Sequence, residues 1–139
     1  NMEREEIMKL LPHLSPMLLV DESHWEGDDV VSTYHVNGDE FFLQGHFPGN
    51  PVVPGVILCE MMAQGSFMLM TELLDGKTLT FLTGLDNVRF KHPVVPGDTL
   101  TTHSKMIDRR GNIIFLEAKA DVDGTFCCSA RITIVLKKI

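Results

Sequence analysis

Residues 45–74 read GHFPGNPVVPGVILCEMMAQGSFMLMTELL, and the change of character at Gly55 decides the fold. Gly45–Gly55 holds three glycines and three prolines in eleven residues, which makes a stiff, irregular loop and neither a strand nor a helix. Pro54 is expected to open the helix that follows, since a proline at a helix start gives up only an N–H that has no intrahelical acceptor. That helix is expected from Val56 to about Leu74 and is apolar on nearly all sides. A helix of that kind belongs inside a protein, with other structure around it.

Downstream of the helix the pattern changes to that of strands, expected at Thr78–Phe90, Leu100–Ile107, Ile113–Val122 and Thr125–Leu136. They are separated by a Pro/Gly turn at His92–Asp98 (HPVVPGD), by a turn at Asp108–Asn112, and by Asp123-Gly124, a strong hairpin signal. Upstream, Met2–Leu11 predicts a short helix ended near Pro12, Met17–Val20 a brief strand, and Val30–Val36 another. One helix apolar all round plus five or six antiparallel strands predicts an α+β architecture. The antiparallel sheet wraps around a long central helix, which is the hotdog fold.

With 139 residues, the chain has room for a single domain, 1–139, and not for two. A hydrophobic share of 44% against 22% charged residues excludes a disordered polypeptide. The net charge of −7 argues against nucleic acid as a partner. Charge is also unevenly placed: residues 1–84 carry 3 Lys/Arg against 13 Asp/Glu, a net −10, and residues 85–139 carry 9 against 6, a net +3. An anionic partner would have to use the second half. Cys59, Cys127 and Cys128 form neither an even framework nor a C-x-x-C pair, which fits a reduced, cytoplasmic setting. No signal peptide is expected, because no N-terminal segment has a charged start followed by an apolar run. The most apolar stretch, Val52–Met70, is interrupted by Pro54, Glu60, Gln64, Gly65 and Ser66 and makes a poor membrane span.

Glu60 is the most informative polar residue. Its neighbours three and four positions away are Val56, Ile57, Ala63 and Gln64, so it stands on an apolar face of the helix. Burial should raise its pKa, while the nearby helix N-terminus works the other way. A partly protonated glutamate near pH 7 suits a general acid, and exchanging it for glutamine is expected to stabilise the fold. His46 lies fourteen residues earlier, in a loop whose backbone is fixed by Gly45, Pro48, Gly49, Pro51, Pro54 and Gly55. A rigid loop holding one titratable group is a way to position a base. Free N–H groups near Gly55 and Val56, at the helix start, can bind a carbonyl oxygen that becomes negative during reaction. His13, His24 and His35 read as structural, and with His46 they show no metal-ligand spacing. The cysteines lack a neighbouring activating histidine, and Met61, Met62, Met68 and Met70 read as core.

At these residues the chain resembles a known family. GHFPGNPVVPGVILCEMMAQ at 45–64, LPHLSPMLLVD at 11–21 and LDNVRFKHPVVPGD at 85–98 are similar to segments of the FabZ-type 3-hydroxyacyl-[acyl-carrier-protein] dehydratases. The resemblance implies a catalytic histidine at His46 and a catalytic glutamate at Glu60. Glutamate rather than aspartate there resembles the dehydratase and not the related dehydratase/isomerase. It further implies a substrate held as a thioester on the phosphopantetheine of acyl carrier protein, with no metal or redox cofactor. Family members are homodimers, often trimers of dimers, whose sites pair the histidine of one subunit with the glutamate of the other. One departure is Leu14, where the family commonly has arginine after the histidine. A hotdog thioesterase and a non-catalytic acyl-binding module are the competing readings. Acyl carrier proteins are acidic, so docking on this acidic chain calls for a local basic patch. Arg89 and Lys91, in the family-like RFK stretch, and Arg109 and Arg110, at a turn, are the expected contributors.

Overall fold

The structure is a computed structural model that describes residues 1–11, 13, 16–45 and 49–138. In chain order its elements are β1 (Met2–Glu3), α1 (Arg4–Leu10), β2 (Glu22–Glu26), β3 (Asp29–His35), a 3-10 turn (Phe41–Leu43), α2 (Gly55–Gly65), a 3-10 helix (Phe67–Leu73), β4 (Thr78–Phe90), β5 (Thr99–Arg110), β6 (Ile113–Val122) and β7 (Thr125–Lys138). Among the described residues seven strands form one antiparallel sheet in the order β1-β2-β3-β5-β6-β7-β4. The sheet curls around α2, which touches β3, β5, β6 and β7. This is the hotdog fold.

The inner face of the sheet leaves space for the helix. Ala118 and Ala120 on β6 and Cys128 and Ala130 on β7 are small and buried, so α2 lies close against them. Cys128 Sγ comes within 3.9 Å of Met62 Sδ. Around this contact the helix buries Leu58, Cys59, Met61, Met62 and Ala63, and the strands contribute Leu100, Ile114, Leu116, Ile132 and Ile134. The outer face of β7 keeps Ser129, Arg131 and Thr133 in contact with solvent, the alternation expected of a sheet wet on one side.

The long central helix of the sequence reading is in fact two pieces. α2 stops at Gly65, and the chain continues as a 3-10 helix after a bend of 47°. At the bend the backbone presses on β3 and β5: a Cβ on Gly65 would stand 3.3 Å from Ser32 Cβ and 3.4 Å from Thr102 Cβ. The carbonyls that would continue the helix are taken by side chains. Ser32 Oγ donates to the Gly65 carbonyl, and Ser66 Oγ donates to Ala63 O at 2.6 Å. Leu69 N–H then turns to Ser66 O at 3.0 Å, a 3-10 bond.

Other boundaries also move. Met17–Val20 is not a strand, because its backbone groups are taken by side chains and not by a neighbouring strand. Leu19 N–H donates to Gln64 Oε1 at 2.7 Å, Met17 O accepts from Gln64 Nε2 at 2.8 Å, and Arg4 donates to Leu18 O and Val20 O. The strand β2, ESHWE, escapes the sequence reading since only Ser23 in it is buried and no apolar alternation marks it. Met2–Glu3 pairs with β2 before the first helix begins at Arg4. The strand expected to end at Ile107 runs on to Arg110 through a bulge between Met106 and Asp108.

The two Pro/Gly segments meet at the start of α2. Val53 N–H donates to Val94 O at 2.9 Å, and both valines are buried. A further close approach holds the end of α1 to the loop before β4. Gly76 has φ +80°, and a Cβ on it would lie 2.6 Å from Lys9 O. We therefore expect Gly76→Ala to destabilise the protein by about 2 kcal/mol or more, through backbone strain and the clash together. Chemical denaturation measures this, and an unchanged midpoint would mean that the loop and α1 part freely.

Candidate active site

Glu60 occupies the second turn of α2, on the same face as Gln64 four residues on. The Gln64 amide is buried and fully used. Its Nε2 donates to Glu60 Oε2 at 2.7 Å and to Met17 O at 2.8 Å, while its Oε1 accepts the Leu19 N–H at 2.7 Å. A second partner reaches Glu60 from outside the helix: His13 Nε2 stands 3.4 Å from Glu60 Oε2. Burial pushes the Glu60 carboxyl up, but the His13 and Gln64 donors, with the charge of His13, outweigh it and hold the group below its ordinary value. Glu60 is thus ionised in the resting protein, which corrects the sequence expectation of a partly protonated acid. The sequence places Gln64 beside Glu60 through its four-residue spacing. It offers no sign of His13, which arrives only through tertiary contact.

At the start of α2, Pro54 O accepts from Ile57 N–H at 2.9 Å and from Leu58 N–H at 3.1 Å. The Gly55 and Val56 N–H groups precede these and have no acceptor among the described residues. Gly55 lies under the ring of Phe90, at the end of β4: a Cβ would stand 2.9 Å from its Cζ, so the ring would have to shift. The Val56 side chain is 76% exposed and packs into no core. His46 lies outside the described residues. Gly45 and Gly49, to either side of it, take φ of +82° and +76°, the left-handed region that favours glycine.

The four basic residues of the sequence reading fall into two groups. Arg89 and Lys91 flank Phe90 and are exposed close to the start of α2. Arg109 and Arg110 lie at the end of β5, level in the sheet with Leu82 through Ile114 and Ile134. Seven residues along β4 separate that level from Arg89, roughly 23 Å of extended strand. They are also engaged locally: Arg110 Nε is 3.2 Å from Asp108 Oδ2, and Arg109 Nε donates to Gly111 O at 3.0 Å. The cysteines are inert, since burial pushes the Cys59 thiol up and the Cys128 thiol up to about 12. Among the described residues no three His, Cys, Asp or Glu side chains gather to hold a metal ion. None of the described helices is by itself long and apolar enough to cross a membrane.

Comparison with known proteins adds to this geometry. Residues 10–131 match the FabA-like domain family. The 3-hydroxyacyl-[acyl-carrier-protein] dehydratase FabZ of Lactococcus lactis subsp. cremoris (strain SK11) is 43% identical over 140 aligned positions, covering 99% of this chain and 97% of that protein. The FabZ of Streptococcus equi subsp. zooepidemicus (strain MGCS10565) is 45% identical, covering 95% and 96%. Among solved structures, the dehydratase heterocomplex ApeI:P of Xenorhabdus doucetiae superposes with a TM-score of 0.79 at 20% identity, covering 95% of this chain and 91% of that one. A thioesterase of Haemophilus influenzae superposes at 0.61 with 16% identity, covering 86% and 78%. At those identities the structural matches speak for the fold alone.

The state of Glu60 has a consequence for stability. Its carboxyl titrates lower when folded, so its ionised form contributes stability above the unfolded value of about 4.3. That contribution is lost as pH falls through the folded value. Glu60→Gln should therefore lower stability by about 1.5–3 kcal/mol at pH 7, the worth of a hydrogen bond to a charge. The gap should narrow at an acid pH below the unfolded value. Urea unfolding at both pH values checks this, and a variant more stable than wild type at pH 7 would show that burial dominates.

Proposed function

The chain belongs to the FabA-like family, and from that premise we propose that it dehydrates (3R)-3-hydroxyacyl-[acyl-carrier-protein] to the trans-2-enoyl thioester in fatty acid biosynthesis. The observation that carries the reading is Glu60, a partly buried carboxylate that accepts from Gln64 and stands 3.4 Å from His13 Nε2, on a helix whose remaining side chains are apolar. The helix start nearby offers N–H groups with no acceptor among the described residues. In the proposed reaction His46 removes a C2 proton. The Gly55 N–H, with that of Val56, steadies the thioester oxygen as charge develops on it. Glu60 serves the departing C3 hydroxyl, which leaves as water. The elimination is redox-neutral and its protons are carried by side chains, so the proposed chemistry calls for neither metal nor redox cofactor.

The working unit is proposed to be a homodimer of the single domain 1–139, or a trimer of such dimers, with His46 and Glu60 from different subunits completing each site. The exposed edge of β4 supports an assembly through this strand. Phe81, Leu82, Leu85 and Phe90 are exposed there, and a long apolar edge of this kind is normally covered. The proposed setting is the cytoplasm, where acyl carrier protein brings the substrate on its phosphopantetheine.

His46→Ala and Glu60→Gln should each reduce dehydration by about 10²-fold or more, the scale of a lost acid or base. Mixing the two inactive variants should restore part of the activity through mixed dimers. The assay follows hydration of a crotonyl thioester alongside free-thiol release. Turnover that yields thiol would favour the thioesterase reading, and binding without turnover would favour an acyl-binding module. Full activity in a folded Glu60→Gln variant would remove Glu60 from the reaction.

Docking of the acidic carrier is proposed on the basic residues of the second half of the chain, with Arg89 and Lys91 foremost because they adjoin the start of α2. Arg109 and Arg110 are partly neutralised by Asp108 and should contribute less. Reversing Arg89 and Lys91 to glutamate should raise KM for a carrier-bound substrate severalfold, with the difference shrinking at high salt. Turnover of a short pantetheine thioester should stay near wild type. Equal losses on both substrates would place these charges in the fold or the site and not in docking.

A further inference from the structure

A carboxylate that is already ionised makes a poor acid, because a general acid must hold a proton at the working pH. The structure supplies a source for that proton. His13, three residues beyond the end of α1, brings Nε2 to 3.4 Å from Glu60 Oε2, with both side chains partly buried. Its other ring nitrogen, Nδ1, is buried and has no hydrogen-bond partner among the described residues. Leaving such an atom unpaired costs about 1–3 kcal/mol, so an orphan of this kind calls for an explanation. His13, Glu60, Gln64 and Thr80 line a cavity of about 30 Å³, enough for one water. The remaining walls, from the end of α1, the bent helix, β4 and β7, are apolar, and His13 and Glu60 are the titratable groups that face it.

We propose that His13 is a positioning residue that stores, on Nε2, the proton Glu60 delivers to the departing hydroxyl. The inference rests on the reading of Glu60 as the group serving that hydroxyl. A charged imidazole carries a proton on both nitrogens, and the one on Nε2 is the one that faces Glu60. The step balances as follows. The C2–H electron pair forms the new C2–C3 double bond while the proton goes to His46. The C3–O bond breaks with its electrons on oxygen, and that oxygen takes a proton from Glu60. Glu60, ionised at rest, receives that proton from His13 Nε2 as it passes it on, leaving a neutral imidazole beside a carboxylate. Solvent then removes the proton from His46 and returns one to the His13–Glu60 pair, so the enzyme is unchanged.

The test is the pH dependence of kcat for wild type, His13→Ala and His13→Gln, measured on a short hydroxyacyl pantetheine thioester, with folding followed by circular dichroism. Both variants should lose about 10²-fold in kcat at neutral pH. Their alkaline limb should move at least one pH unit lower, since a lone carboxyl keeps its proton less well than the pair. His13→Gln retains an N–H donor for Glu60 but cannot carry a proton. A wild-type profile in that variant would show that His13 only orients Glu60 and would overturn the proposal. A uniform loss of kcat with the alkaline limb in place would do the same, by reducing His13 to a structural role. Should His13→Ala fail to fold, His13→Gln carries the test alone. Glu60→Gln is the separate control: if it is folded and active, the reading of Glu60 fails whatever the His13 variants do. If it is inactive while the His13 variants behave as wild type, the present inference fails alone.

Discussion

The buried amide of Gln64 is the interaction on which the arrangement depends. A helix enclosed by a sheet tolerates polar side chains only where their hydrogen bonds are met internally, since water does not reach them. Gln64 meets this condition by bonding three groups at once: Glu60 on its own helix, and the Met17 carbonyl and Leu19 N–H of one neighbouring segment. The same bonds that make the amide tolerable fix the segment before β2 against α2 and orient the carboxylate. Removing the amide would leave a backbone donor, a backbone acceptor and a carboxylate oxygen each short of a partner.

From this tie follows the shape of the N-terminal third. Leu18, Leu19 and Val20 are buried, yet they form no strand because Gln64 and Arg4 occupy their backbone groups. With that segment held, His13 falls beside Glu60 and shifts the balance of forces on the carboxyl. Burial by itself pushes the carboxyl up. The Gln64 donor, the His13 imidazole and its charge reverse the sign.

The far end of α2 answers to a different constraint. Gly65 lies against Ser32 and Thr102, and hydroxyls from Ser32 and Ser66 capture the carbonyls needed for another α-helical turn. The apolar run continues to Leu74, so its pattern carries no sign of the bend. The near end is set by loop packing, where the Val53–Val94 bond draws the two proline-rich segments together and Phe90 covers Gly55. The start of the helix, where a thioester oxygen is proposed to bind, is thus built from segments some forty residues apart.

By itself the sequence determined the α+β class, the enclosed helix, its start at Pro54–Gly55 and the four C-terminal strands. All of these are written in local periodicity and in glycine and proline placement, which act over a few residues. It also marked Glu60, as a lone carboxylate on an apolar face, and His46, as a titratable group in a stiffened loop. Tertiary structure alone decided that the helix breaks at Gly65, that residues 17–20 are not a strand and that β2 exists without apolar alternation. It alone brought His13 to Glu60, where it adds to the Gln64 donor in lowering the carboxyl. The physical reason is range: propensity and pattern act between neighbours, whereas one of the groups that lower the Glu60 carboxyl comes from forty-seven positions away, placed only when the sheet closes on the helix.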